Sequence, residues 1–192
     1  YPRVAEAALK AGWEFMGLGF VQGSMHLLPD QRVAIRKSID TIKKFTGKAP
    51  RGWLGPGLTE TWDTLDILAE EGIEYVSDWV NDDQPYEIKT IARPLVMVPY
   101  TLEINDIPMM LIQHHEAHEL FDRARDQFDR LYEEGRHMAR VMAIAVHPYI
   151  SGVPHRIKYF EKIYADKKKK PGVLFWKGED ILDWYRGVKT RR

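Results

Sequence analysis

Apolar residues recur along this chain with two periods, and the switches between them predict alternating helices and strands. Arg3 to Ala11 is alanine-rich and helical in character, with Gly12 placed to stop it. Trp13 to Phe20 reads as a short strand, followed by a loop through Gly23. Pro29-Asp30 opens a helix on which Val33, Ile35, Ile39, Ile42 and Phe45 share a face, and Gly47 ends it. Arg51 to Leu54 is a short strand candidate before the Gly-Pro-Gly break at 55–57. Thr59 begins a helix carrying Leu65, Leu68 and Ala69, with Gly72 as its stop; Ile73 to Trp79 is strand-like, and 81–87 is polar and loop-like. Leu95 to Val98 and Leu102 to Ile104 are short extended pieces.

Farther on, Glu116 to Glu134 is a long amphipathic helix with Leu120, Ala124, Phe128, Leu131 and Tyr132 on its stripe. Val141 to Val146 is a compact apolar run of the kind found in strands covered on both faces. His155 to Tyr164 reads as a helix, Val173 to Trp176 as a last strand and Glu179 to Tyr185 as a last helix. Alternation at this spacing implies an α/β fold of parallel strands joined by helical crossovers, in one domain spanning residues 1–192. In such folds the chemistry gathers at the C-terminal ends of the strands.

That rule selects the candidates. Arg51 with Trp53, then Asp78, Trp79, Asp82 and Asp83, then His147 and Tyr149, all stand at the ends of expected strands, so a guanidinium, carboxylates and an imidazole are expected to converge. Taken singly, Arg51 reads equally as an ion-pair residue, 81–83 as a solvated turn and His147 as a satisfied core histidine. Shared placement favours a site, and histidine is suited to proton transfer.

Composition narrows the classes. The chain has 192 residues, 28 basic and 28 acidic, so neither nucleic acid nor an anionic membrane is favoured as a partner by charge. Without cysteine there is no disulfide or thiolate chemistry, and the cytoplasm is the default compartment. No apolar run approaches the roughly 20 residues that span a bilayer. The Lys167–Lys170 run is a solvated loop, too short to argue for nucleic acid.

The residues at the strand ends resemble the motifs of the polysaccharide-deacetylase (NodB-homology) family, in the branch with allantoinases and cyclic-imide hydrolases. Trp13-Glu14-Phe15-Met16-Gly17-Leu18-Gly19 resembles its second motif, in which position 18 is usually His. Arg51-Gly52-Trp53 with Pro56 looks like the third, and Asp78 with Asp82-Asp83-Gln84-Pro85-Tyr86 the fourth. His147-Pro148-Tyr149-Ile150-Ser151-Gly152 with Pro154-His155-Arg156 is similar to the fifth, and Pro99-Tyr100-Thr101 with Asn105-Asp106 fits the allantoinase-like branch. The resemblance implies a distorted (β/α) barrel, incomplete here, and hydrolysis of a non-peptide carbon–nitrogen bond. It implies His147 as the acid, Arg51 as the group that orients or neutralises a carboxylate, and Asp78 or Asp82 as tuning His147 or contacting substrate. Trp53 and Trp79 would wall the pocket, with Asp83 and Tyr149 as further substrate contacts.

Two departures shape the expectation. The family's base, an Asp on the first strand, belongs upstream of Tyr1, and the chain opens Tyr1-Pro2-Arg3 without Met. A trimmed chain is expected, completed by an N-terminal segment or a second copy. The metal-dependent members hold a divalent ion such as zinc, but here the ligand positions are Leu18 and Gln22, so no cofactor is expected. His26 reads as a loop histidine, and His114, His115 and His118 as a polar helix start rather than a metal cluster. Three readings follow: a His-assisted hydrolase of amides, cyclic amides or N-acetyl groups; a catalytically inactive or split-subunit relative serving as a binding or assembly module; and a metal-dependent deacetylase with unconventional ligands.

Overall fold

The computed structural model describes residues 1–190. By contacts the chain gathers into two compact units, each with its own apolar cluster. The first unit comprises Tyr1–Trp79, Pro85–Val98 and the segment from Trp176 onward; the second comprises Val80–Gln84 and Pro99–Phe175.

The first unit is built on a four-stranded sheet of very short strands: β1 (Gly52–Trp53), β2 (Tyr75–Val76), β3 (Tyr86–Ile88) and β4 (Leu95–Met97), in the order β1-β2-β4-β3. β1, β2 and β4 run parallel, while β3 returns antiparallel on β4. Gly17 lengthens the open edge by a single parallel bridge to Trp53, its N–H donating to Gly52 O (2.9 Å) and its carbonyl accepting from Leu54 N (2.9 Å). Only glycine fits there, because a Cβ at 17 would run into the Trp53 indole. The expected strand over 13–20 thus shrinks to one residue.

Helix α1 (Pro2–Lys10) buries no residue. Helix α2 (Gln31–Thr46) starts where Asp30 accepts a hydrogen bond from Val33 N (3.0 Å) and stops at left-handed Gly47, as the sequence predicts. It packs Ile35 and Ile39 with Leu68 and Ala69 of α3 (Thr64–Glu70) against Trp53, Val76, Leu95 and Met97. The helix expected from Thr59 begins only at Thr64, because Thr61 N donates to Thr64 Oγ1 (2.8 Å) and holds 61–63 in a turn. The other sheet face, Tyr75, Val96 and Val98, is covered by Leu182 of α6 (Gly178–Lys189). Tyr75 O–H donates to Glu14 Oε1 (2.7 Å), whose other oxygen accepts from Glu179 N (3.0 Å), fixing the start of α6.

The second unit packs α4 (Ala117–Glu134) on α5 (Ile157–Lys167) through Leu120, Ala124 and Ile163, with Ile104, Met109, Met110 and Ile150 completing its core. A six-residue π-helical turn, Ile107–Ile112, was not foreseen. The strands expected over Val141–Val146 and Val173–Trp176 do not form. Only Ala145 pairs, in a parallel bridge with Asn105, so the apolar run there reports burial rather than a ladder. No helix among the described residues is long and apolar enough to cross a membrane.

Candidate functional site

His147 lies two residues past Ala145, and Asp106 one past Asn105, so the single bridge between those chains sets the two side chains side by side. Asp106 is fully buried. Its Oδ2 accepts from His147 N (2.7 Å) and Ser151 Oγ (2.7 Å), and its Oδ1 meets His147 Nδ1 at 2.6 Å. With two donors already on Oδ2, the Nδ1 contact is best satisfied by Nδ1–H donating to the carboxylate. The turn after His147 supplies the third donor: Ile150 N and Ser151 N both donate to His147 O (2.9 and 3.0 Å), which folds Ser151 back onto Asp106. The imidazole side chain is 34% exposed, and Tyr149, largely exposed, packs edge-on to it at 5.9 Å between ring centroids. Fixed tautomer, fixed ring plane and an Nε2 that meets no hydrogen-bond partner among the described residues make this arrangement competent to hold or move a proton at a defined point.

A different carboxyl site stands at the C-terminal ends of β1 and β2. Asp78 is buried and its Oδ1 accepts from Gly55 N–H in a short contact. A Cβ at Gly55 would lie 2.9 Å from that oxygen and 2.6 Å from Thr59 O, so the approach requires glycine. Asp78 also hydrogen-bonds Glu60, yet Asp78 Oδ2 and Glu60 Oε1 are both buried and meet no donor group among the described residues. Two acceptors in that position are satisfied only when one proton is shared between them. Burial first, then the neighbouring Glu60 charge, pushes Asp78 up to about 8; burial likewise raises Glu60, against the Trp79 hydrogen bond. Trp79 Nε1 donates to Glu60 Oε2 (3.0 Å), and beside it opens a cleft of about 500 Å³ lined by His26, Glu60, Thr61, Trp62 and Trp79.

Arg51 stands elsewhere. β1 begins only at Gly52, so Arg51 precedes its strand instead of following it, as does Glu74 before β2. Its guanidinium is committed to Glu74 Oε1 (2.7 Å) and Asp183 Oδ1 (2.7 Å), and Glu74 also receives Arg186. Arg51 is therefore at the opposite end of the parallel strands from Asp78, contrary to the expected convergence. Trp53 is fully buried in the core rather than walling a pocket, and its Nε1 has no partner among the described residues. Asp82 and Asp83 belong to the second unit with His147 and Tyr149. Asp82 Oδ1 caps a turn by accepting from Gln84 N (3.0 Å), while burial raises Asp83 against the pull of Arg140.

The sequence reading missed Asp106 as the partner of His147, along with Ser151 and Glu60. Asn105-Asp106 was noted as a motif, but no signal tied it to a residue 41 positions away. For a metal the donor set is poor: Leu18 offers no lone pair, and no group of three or more His, Asp or Glu among the described residues could hold an ion. In the histidine cluster, His115 Nδ1 meets Glu119 Oε2 (2.6 Å) and its Nε2 meets Arg123 Nη2 (3.0 Å), so both ring nitrogens are occupied.

A family model described as Glycosyl hydrolase family 57 matches residues 6–186. A protein of Schizosaccharomyces pombe whose name assigns it to the polysaccharide deacetylases is 32% identical over 164 residues, 77% of this chain and 51% of its own length. A crystal structure from Pseudomonas aeruginosa PAO1, likewise assigned by name to the polysaccharide deacetylases, superposes with a TM-score of 0.88 at 30% identity, covering 96% of this chain and 63% of that one. The crystal structure of PuuE allantoinase gives a TM-score of 0.89 at 25% identity, covering 97% and 63%. The chain thus spans about half the length of the curated relative and under two thirds of either structure. The resemblance to the polysaccharide deacetylases and the incomplete α/β fold read from the sequence are borne out, with the sheet open rather than closed.

Proposed function

This chain belongs to glycosyl hydrolase family 57 and carries the NodB-type deacetylase fold, and from that premise we propose that it acts in hydrolysis of a non-peptide carbon–nitrogen bond, in an amide, cyclic amide or N-acetyl group, with His147 as proton donor. The contact between His147 Nδ1 and buried Asp106 carries this reading. Water adds to the carbonyl carbon as its proton passes to the unprotonated Nε2 of His147. As the tetrahedral intermediate collapses, the C–N electron pair goes to nitrogen, which takes the proton from Nε2 of His147. The imidazole is left neutral with its Nδ1 hydrogen still on Asp106. Asp106 and Ser151 act by holding the ring; Tyr149, Asp82 and Asp83 are the proposed substrate contacts of that unit. No step is routed through a metal, for which the donors present are unsuited.

Glycoside hydrolysis, which the family description names, fits the carboxyls less well. Its paired acids stand roughly 5–9.5 Å apart, whereas Asp78 and Glu60 are in direct hydrogen-bond contact. The names of the curated relative and the superposed structures also favour the C–N bond. The test is turnover of N-acetylated sugars, allantoin and small cyclic imides by the protein and by His147→Ala. We expect the variant to lose on the order of 10²–10⁴ in kcat; equal rates in the two, or no turnover of any of these substrates, overturns the reading.

A second reading is favoured by a specific surface. Trp13 (70% exposed) and Val21 (67%), with half-exposed Leu18 and Phe20, flank the open edge at Gly17. Such an edge suits an assembly module completed by another segment or a second copy, in the cytoplasm. Sedimentation giving a stable, isolated monomer would argue against it.

A further inference from the structure

Asp78 and Glu60 take no part in the reaction described above, yet together they hold a strained turn. The turn follows β1 as Gly55–Thr59, closed by Leu58 N donating to Gly55 O (2.8 Å) and Thr59 N donating to Pro56 O (3.3 Å). Its closure puts two successive residues in left-handed backbone, Gly57 (φ 62°) and Leu58 (φ 56°). Glycine adopts that conformation freely, whereas the Cβ of leucine crowds the following carbonyl. One side chain clamps the turn at both ends: Asp78 Oδ1 accepts from Gly55 N–H, and Asp78 hydrogen-bonds Glu60, the residue after Thr59. Asp78 is buried two residues past β2, while Glu60 is half-buried on the loop, where its Oε2 accepts from Trp79 Nε1 (3.0 Å).

We propose that the Asp78–Glu60 contact is a proton-operated latch: the shared proton keeps the turn against the end of β2, and its loss sends the Glu60 side chain into solvent and frees the Trp79 indole. Asp78 Oδ2 and Glu60 Oε1 are buried and meet no donor group among the described residues, so without the proton two carboxylates face each other. The surroundings do little to offset that repulsion. Asp78 meets the Gly55 amide and Glu60; Glu60 meets Asp78 and the Trp79 indole. The neighbouring ring of Thr61, Thr64 of α3 and Gln31 of α2 is uncharged. His26, on the turn at Met25–Leu27, is the other titratable group lining the cleft beside Glu60. Burial raises both carboxyls, Asp78 to about 8, so the latch is closed below that pH and opens as pH rises through it. The strain at Leu58 favours release. Met25 N on Thr59 Oγ1 (2.9 Å) and Thr61 N on Thr64 Oγ1 (2.8 Å) confine the motion to the residue between them. Because Glu60 forms part of the cleft wall, the shape of the cleft follows pH. The latch goes beyond the hydrolase reading and stands without it.

The experiment follows the indole N–H signal of Trp79 by NMR in the 192-residue chain, with Trp79→Phe to assign it. The titration runs from about pH 5 to about pH 10. We expect the signal to shift in one transition centred at about 8, its exchange with water rising at least about tenfold, while the methyl signals of buried Leu68 and Val76 stay fixed. Glu60→Gln places amide hydrogens where the shared proton lies and keeps an oxygen for Trp79, so the transition should vanish. Asp78→Asn should abolish it from the other side; Glu60→Gln, on the less buried partner, keeps the test open should Asp78→Asn fold poorly. Leu58→Gly relieves the strained residue, so the midpoint should rise by roughly 0.5–1 pH unit. A parent signal with no such transition, the parent's midpoint in Glu60→Gln, core methyls that move together with the indole, or a Leu58→Gly midpoint at or below the parent's overturns the latch.

Discussion

Two buried aspartates, one in each unit, show how the surroundings of a carboxyl decide its use. Asp106 is fully buried and meets three donors, from His147 N, His147 Nδ1 and Ser151 Oγ. Asp78 is 7% exposed and meets one donor, Gly55 N–H, and one further carboxyl. The first therefore serves as an acceptor that orients an imidazole, while the second keeps a proton that it shares with Glu60. Burial alone does not separate them; the count and sign of the neighbours does.

The sharpest way to break the comparison is to remove the acceptor from the first site. Asp106→Asn presents an amide whose N–H₂ competes with Nδ1–H, so the favoured tautomer is lost; kcat is expected to fall by about 10² or more. Steady-state kinetics checks this, and Ser151→Ala, which leaves the acceptor in place, should fall far less. Asp106→Ala is expected to cost about 3 kcal/mol of stability in urea unfolding, since buried donors are left without an acceptor.

The second site should respond to pH. Asp78 is raised in the folded protein, so the folded state binds more protons than the unfolded one between the ordinary aspartate value of 3.8 and about 8. The stabilisation is full below that window and is lost as pH rises through it. The melting temperature should fall across the window, and Asp78→Asn should flatten the slope; an unchanged slope would remove the shared proton from the account. Smaller still is Gly55→Ala, expected to cost roughly 1–3 kcal/mol by forcing Asp78 and the Thr59 backbone apart, with part of the pH slope lost alongside.

What the sequence disclosed follows from how local each cause was. Asp30 and Gly47 bracket α2 because capping and left-handed backbone are decided within a few residues. Leu95–Met97 was legible from its apolar run. Val141–Val146 misled because burial and strand pairing leave the same apolar mark, and here only Ala145 finds a partner. Arg51 misled by a single residue: a strand that starts at Gly52 puts its guanidinium at the opposite end of the sheet from the one expected. His147 was legible as a candidate by residue type, and Asp106 was not, since its role depends on a bridge between distant segments. Glu60 was hidden in a predicted helix start that the structure resolves into a turn.

The covering of one sheet face by Leu182 carries a consequence for biosynthesis. Tyr75, Val96 and Val98 are made long before their cover, for roughly 80 residues separate the end of β4 from the start of α6. At the usual pace of translation that interval lasts roughly 4–16 s. During it the nascent chain displays an unprotected apolar surface, so the ribosome-bound intermediate, more than the finished protein, is the species in need of a chaperone.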